Sequence, residues 1–422
     1  VTGRRAALLT AAVLLAAFAV VVAVATPWEV LPQPPGGATP IDPTAGLPVD
    51  QVDRAQVFAA AIRPASLASL LLGLAVAALL GLTGVGARLV RGLPAPRRGR
   101  WVWQVLLGVS ALAVVGRLVT LPLSAYGEVV RHRYGLSTRS WGLWVRDVAV
   151  STAIDAALTA LALLALVWLA RRASRAWWAL ASAGAAVLVV AGSFLWPVLI
   201  EPAFNSFRSM PAGELRSDLL ALAEENGTPV QDVLVSDASR RTTALNAYVS
   251  GFGSTRRIVV YDTVLDRLPD EQIESIAAHE LGHVAADDVL TGTLLGALGG
   301  AGGVALLGWV LTSPRLLRRA GADGPADPAV VPLLLLLVAV GTLVSTPVQN
   351  LVSRHVEARA DVAALDLTRD PEAFIAMQRG LAESNLSDPE PPAAWRWFFG
   401  SHPTTAQRIA MAEDWARLEG RP

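Results

Sequence analysis

His279-Glu280-Leu-Gly-His283 is the run in this sequence whose residue types and spacing most directly imply chemistry. It lies in a pattern that reads as a helix beginning near Pro269-Asp270-Glu271, a proline and two acids suited to a first turn. Histidines four apart project from one helical face about one turn apart, so both imidazoles can reach a single Zn2+. Glu280 between them is placed to take a proton from water polarised by that metal, which lowers the pKa of the water to about 7. The bland alternative is a surface helix carrying two unrelated histidines. With only five histidines in 422 residues, chance placement rarely produces this spacing, and the metal reading is preferred.

A catalytic zinc takes three protein ligands and leaves one position open. The stretch Asn350-Leu-Val-Ser353-Arg354-His355-Val-Glu357-Ala-Arg-Ala-Asp361 offers the third. Glu357 and Asp361 are four apart, so one carboxylate can bind the metal while the other orients a ligating histidine through its second ring nitrogen. His355 competes for the same place but points away from the Glu357 face. An ordinary solvated helix face would account for an isolated carboxylate at Glu357 about as well.

These motifs need a scaffold, and the composition says of what kind. Hydrophobic residues make up 53% of the chain and charged residues 17%. A soluble domain carries about 25% charge, so this chain lacks the polar surface to face water all round, and a membrane protein is expected. The 35 basic residues are offset by 35 acidic ones, which excludes a basic nucleic-acid-binding protein. Cysteine is absent, which excludes disulfides, thiolate metal sites and cysteine nucleophiles. Every basic residue is arginine and alanine is abundant, pointing to a GC-rich bacterial genome and hence a bacterial plasma membrane.

Crossing a bilayer takes about 20 apolar residues, and seven stretches qualify: Ala6–Thr26, Leu67–Val85, Val102–Pro122, Val150–Ala170, Ala176–Leu199, Val289–Leu311 and Val330–Pro347. The first follows Arg4 and Arg5 but is longer than the core of a signal peptide, so it reads as a retained span. The expected organisation is a membrane domain at 1–200 with five spans and a peptidase core with the histidine motif at 201–288. Two more spans follow at 289–348, then a second catalytic segment at 349–422 with the third ligand and C-terminal helices. The fold class is mainly α, a polytopic membrane protein with about seven helices, plus an α+β catalytic domain with a small sheet assembled from both polar pieces. Pro27–Pro48 lacks periodicity and reads as a flexible connection. Arg117 and Asp155 fall at similar depth near the outer ends of the third and fourth spans, where ionisable residues pair or face water, so they line an internal chamber or else sit at the interface. Thirteen arginines flank the spans on the N-terminal side and six lie in the short loops opposite. The positive-inside rule then puts the N-terminus in the cytoplasm and the histidine motif outside.

Beyond the metal motif, the chain resembles the type I CAAX prenyl endoprotease family of integral-membrane zinc peptidases. The resemblance rests on His279-Glu-x-x-His283 with Ser353-Arg-x-x-Glu357-x-x-x-Asp361. It extends to Ile200-Glu-Pro202-Ala-Phe204-Asn205, Asn246-Ala-Tyr248-Val-Ser-Gly251 followed by Arg257-Ile-Val-Val-Tyr-Asp262, Arg133-Tyr-Gly135-Leu-Ser-Thr138, and His402-Pro403 with Arg408. It implies seven helices around a water-filled chamber and one Zn2+ per chain on His279, His283 and Glu357. Glu280 would be the general base and Asp361 would orient a ligand. Asn246 would contact the substrate backbone beside an edge strand, and His402 and Arg408 would lie near the developing oxyanion, where fixed donors stabilise charge. A helix cap at His402 and a purely structural carboxylate contact at Arg408 are the plainer readings. The strand at Arg257–Asp262 suggests a nearby edge that could take an extended peptide as an added strand. Eukaryotic members of that family turn their zinc to the cytosol, whereas the arginine distribution turns this one outward.

The function expected is a membrane-embedded zinc metalloendopeptidase acting on membrane-associated or CAAX-like peptides, with or without a lipid, and with the bilayer and no nucleic acid as partners. The alternatives are a metal transporter or sensor, which gives Glu280 no role, and an inactive binder of lipid-linked peptides, which the intact motif argues against.

Overall fold

The computed structural model describes residues 2–420. In chain order the helices are α1 (Thr2–Ala25), α2 (Val49–Leu82), α3 (Val85–Gly92), α4 (Arg100–Arg133), α5 (Trp141–Arg172), α6 (Trp177–Leu199), α7 (Glu214–Glu225), α8 (Asp262–Leu265), α9 (Asp270–Ala285), α10 (Asp288–Val310), α11 (Pro314–Ala320), α12 (Val331–Thr368), α13 (Pro371–Asn385), α14 (Ala393–Phe399) and α15 (Thr405–Leu418). Seven of them, α1, α2, α4, α5, α6, α10 and α12, are long and apolar enough to cross a membrane. The number matches the seven apolar stretches. The second stretch is cut short at Leu82 because Gly84, at φ 73°, breaks the chain into α3.

The membrane helices form a ring: α2 packs on α4, α4 on α5, α5 on α6, α6 on α10, and α12 closes on both α10 and α2, while α1 lies against α10. An apolar core seals the end away from the histidine motif, built from Val90 of α3, Val105 and Val109 of α4, Val167 of α5 and Val331–Leu334. Between this plug and the catalytic end the helices stay accessible, with Val114, Leu118, Leu158 and Val187 exposed. Arg117 donates to Thr152 Oγ1 at 3.0 Å rather than pairing with Asp155.

With 34 residues each, α2 and α4 are about 50 Å long, well beyond the ~30 Å hydrocarbon thickness. The surplus lies at the catalytic end, where Gln51 reaches Glu383 and Arg54 reaches the Tyr134 carbonyl. There the chain builds a four-stranded sheet from β1 (Phe207–Ser209), β2 (Asp232–Ser236), β3 (Ala247–Ser250) and β4 (Arg257–Tyr261), in the order β1-β2-β4-β3. β2 and β4 are parallel, Val233 opposite Ile258, and the outer strands pair antiparallel, Val249 opposite Ile258. One face of the sheet joins α9 in a core that draws on both polar pieces of the sequence: Val233, Ile258 and Ala278 from the first, Ala364, Phe374 and Trp415 from the second. Truncating the fully buried Phe374 to Ala would cost about 3–5 kcal/mol.

The Pro/Gly-rich segment after α1 is not a loose connection. Thr39 donates from both backbone N–H and hydroxyl to Asp414, Arg417 donates to the Gly37 carbonyl and Arg379 to the Ala45 carbonyl. Periodicity cannot foresee such a strap, because its anchors are met by side chains more than 300 residues away.

Candidate metal centre

The centre stands where α9 crosses α12. Gly282 makes the crossing close: a Cβ there would lie 2.9 Å from Ala363 Cβ and 3.2 Å from the Ala360 carbonyl oxygen. One turn before Ala360, Glu357 is thereby brought to the two histidines of α9. The α12 helix is continuous from the last membrane span through Glu357 and Asp361, so the bilayer-spanning helix itself carries this carboxylate to the site.

Ligating atoms of His279, His283 and Glu357 all lie within 4.8 Å of one another. His279 Nε2 is 3.2 Å from His283 Nε2 and 3.2 Å from Glu357 Oε2, and His283 Nε2 is 3.7 Å from Glu357 Oε1. Each ring turns its other nitrogen to a carboxylate: His279 Nδ1 to Asp361 at 2.8 Å and His283 Nδ1 to Asp288 at 2.9 Å. Protons on those Nδ1 atoms leave both Nε2 lone pairs facing each other and facing a carboxylate. Glu357 Oε2 is buried without a hydrogen-bond partner. Lone pairs and an orphan carboxylate oxygen converging at such distances are mutually repulsive unless a cation sits among them. Burial disfavours a charged ring at His279, yet the Asp361 and Glu357 carboxylates outweigh it and lift its pKa to about 9, a measure of how strongly the site favours positive charge.

Glu280 is one residue along α9, within reach of the Val249 backbone N–H, and burial pushes its carboxyl above the usual range against the pull of His279 and His283. β3 is the outermost strand of the sheet, on the side of β4 away from β2. The Tyr261 N–H donates to the Asn246 carbonyl at 3.1 Å, and with Ala247 opposite Val260 this register turns the N–H and C=O of Ala247 and Val249 to the open edge. Asn246, exposed at the start of that edge, follows Leu245, whose backbone is held by the Asn385 amide at 3.0 and 3.3 Å.

His402 Nε2 is 3.3 Å from Glu357 Oε2. Its loop is pinned from α12: Arg354 donates to the Arg396 and Gly400 carbonyls and Asn350 to that of Phe398. The cap of α15 is Thr404, in a capping box with Gln407, not His402. Arg408 clamps the fully buried Asp361 with Nε at 2.8 Å and with Nη2, and Nη2 is 3.4 Å from His279 Nδ1. The guanidinium thus braces a carboxylate behind His279. His355 stacks edge-on against Trp28 with ring centroids 5.0 Å apart, away from the cluster. Sequence reasoning missed Asp288, Arg359 and Asn385. Asp288 had a signal, an acid five residues past His283 where Asp287 at φ 52° ends the helix; Arg359 and Asn385 had none.

The geometry can be set beside known proteins. Residues 209–416 match the description Peptidase family M48, and residues 47–206 match the CAAX prenyl protease N-terminal region, described as five membrane helices. The uncharacterized metalloprotease YhfN of Bacillus subtilis (strain 168) is 36% identical over 335 residues, 78% of each chain. The chain belongs to peptidase family M48. It is a membrane metalloprotease of the CAAX prenyl protease type. The CAAX prenyl protease 1 homolog of Arabidopsis thaliana is 29% identical over 317 residues, 72% of this chain and 73% of that one. The crystal structure of S. mikatae Ste24p superposes with a TM-score of 0.77 at 22% identity, covering 96% of this chain and 99% of that one. At that identity the likeness speaks for the fold: M48 membrane helices in a ring with the small mixed sheet at one end.

Proposed function

We propose that this M48 protease holds one zinc ion per chain on His279, His283 and Glu357 and hydrolyses peptide bonds of membrane-associated, CAAX-like substrates. The observation that carries the reading is the convergence of two Nε2 lone pairs and an orphan carboxylate oxygen beside Glu280. Tetrahedral zinc with bonds of 2.0–2.1 Å to nitrogen separates its ligands by about 3.3 Å; here the two Nε2 atoms are 3.2 Å apart, with Glu357 Oε2 3.2 Å from His279 and Oε1 3.7 Å from His283. Bound zinc would supply Lewis acidity, polarising the scissile carbonyl and lowering the pKa of water to about 7.

The chain's own residues do the rest. Glu280 takes a proton from the attacking water and hands it to the leaving amine; its burial favours accepting that proton. An extended substrate pairs with the outward N–H and C=O of Ala247 and the C=O of Val249, with Asn246 against its backbone, which gives affinity with little sequence preference. His402 serves the oxyanion that develops on the substrate, while Arg408 acts through Asp361 to hold His279. A cavity of about 410 Å³ between α6 and α10, lined by Trp196, Val289 and Gly292 and reaching Asp288, suits substrates that approach along the bilayer. Seven spans with thirteen arginines at the end away from the centre support a reading with the N-terminus in the cytoplasm and the site outside, in a bacterial plasma membrane.

The test is cleavage of a farnesylated CAAX peptide and its unprenylated twin by purified protein, before chelation, after it and after zinc is restored. Metal-dependent cleavage of the prenylated peptide alone is expected for a lipid-reading chamber. Equal cleavage of both keeps the zinc peptidase and removes the prenyl requirement. Cleavage that survives complete metal removal sinks the zinc mechanism.

A further inference from the structure

The two histidines are held alike. His279 gives its Nδ1 proton to Asp361, and Asp361 is clamped by Arg408. His283 gives its Nδ1 proton to Asp288 at 2.9 Å, and the other oxygen of Asp288 accepts from Arg359 Nη2. These carboxylates come from different places. Asp361 is on α12, one turn beyond Glu357, whereas Asp288 is the first residue of the membrane helix α10, just past the left-handed turn at Asp287. Arg359 reaches Asp288 from α12, so the group behind His283 ties α9, α10 and α12 together.

We propose that Asp288 is a positioning residue for the metal centre and that Arg359 acts through it. The inference rests on the reading of the site as a zinc centre. Asp288 fixes the His283 tautomer and keeps the ring turned so that Nε2 faces Glu357. Arg359 holds the carboxylate in the rotamer that meets Nδ1. The competing role for Asp288 is structural: an acid in the first turn of α10 complements the helix dipole and would act on helix stability without acting on the metal.

The two roles separate by measuring zinc affinity, through competition with a chromophoric chelator, and thermal stability of the chelated full-length protein in detergent. The variants are Asp288→Ala, Asp288→Asn, Arg359→Met and the double variant Asp288→Ala/Arg359→Met. Asp288→Ala is expected to weaken zinc binding about 10- to 100-fold. Asp288→Asn keeps the shape and an acceptor but loses the charge, and is expected to fall between Ala and wild type. Arg359→Met should weaken zinc less than Asp288→Ala, and the double variant should be no weaker than Asp288→Ala alone, since the arginine acts only through the carboxylate. Co2+-loaded Asp288→Ala should show an altered visible absorption band as His283 loosens. Wild-type zinc affinity in both Asp288 variants, with lowered stability of the chelated protein, would overturn the proposal in favour of the helix-dipole role. Additive losses in the double variant would overturn the part given to Arg359. If Asp288→Ala fails to fold, Asp288→Asn decides by the same measurement. Failure of wild-type protein to bind zinc would refute the metal reading itself, a result distinct from all of these.

Discussion

Replacing Gly282 by alanine tests whether the close crossing of α9 and α12 is what delivers Glu357 to the histidines. The added Cβ would stand 2.9 Å from Ala363 Cβ and 3.2 Å from the Ala360 carbonyl oxygen, where carbon atoms prefer about 3.5–4.0 Å. Both neighbours are fixed to backbone, so the helices must part by roughly 0.6 Å or more to restore ordinary contact. Overpacking of this kind costs about 1–3 kcal/mol, and removing a glycine from a helix interior returns about 0.8–1 kcal/mol. The net destabilisation is therefore small, about 0–2 kcal/mol. The metal site feels the shift differently, because its bonds tolerate about 0.2 Å and Glu357 rides on the displaced helix. Zinc affinity should fall by at least about 10-fold, out of proportion to the change in melting temperature, when chelator competition and thermal unfolding are measured on one preparation. A Gly282→Ala protein that binds zinc as tightly as wild type would refute the claim that this crossing sets the ligand geometry.

Three further outcomes are expected. Arg354→Ala frees the Phe399–Gly400 turn that carries His402, so kcat for peptide cleavage should drop about 10-fold or more with zinc content unchanged; unchanged kcat would remove His402 positioning from the account. Burial raises the pKa of Glu201, so its ionised form weighs against the fold at neutral pH. Glu201→Gln should then melt slightly higher than wild type at pH 8, by a fraction of a kcal/mol for a half-buried group, with the gap vanishing below about pH 4.5; a gap that widens in acid would contradict the sign. The chain has no cysteine, so single cysteines report topology cleanly: Ser254→Cys should react with a membrane-impermeant maleimide in intact cells and Arg97→Cys only after lysis, and the reverse pattern would invert the orientation.

Much of this arrangement was legible in the sequence because it depends on local periodicity. Long apolar runs announced the seven membrane helices, and His279, Glu280 and His283 are placed by the geometry of one helix. Glu357 was reachable because it lies just beyond the last span on a carboxylate-bearing helical face. What stayed hidden depends on which elements meet. Nothing in Pro27–Pro48 says that Thr39 will find Asp414 or that Ala45 will find Arg379. Matching depth in two spans does not say that Arg117 will donate to Thr152. The surroundings of Arg408 show the same limit: its clamp on Asp361 follows from the packing of α15 against α12. Asp288 stood in plain view after His283, yet only the turn at Asp287 aims it back at the ring.

The most direct test of the central claim is Glu280→Gln, with zinc content and peptide cleavage measured on the same purified samples. The variant removes the proton acceptor and leaves His279, His283 and Glu357 intact. Wild-type zinc content is expected, with cleavage reduced by about 10²- to 10⁴-fold. Cleavage within a few-fold of wild type at full zinc occupancy would contradict it, because the water would then be activated by some group other than Glu280.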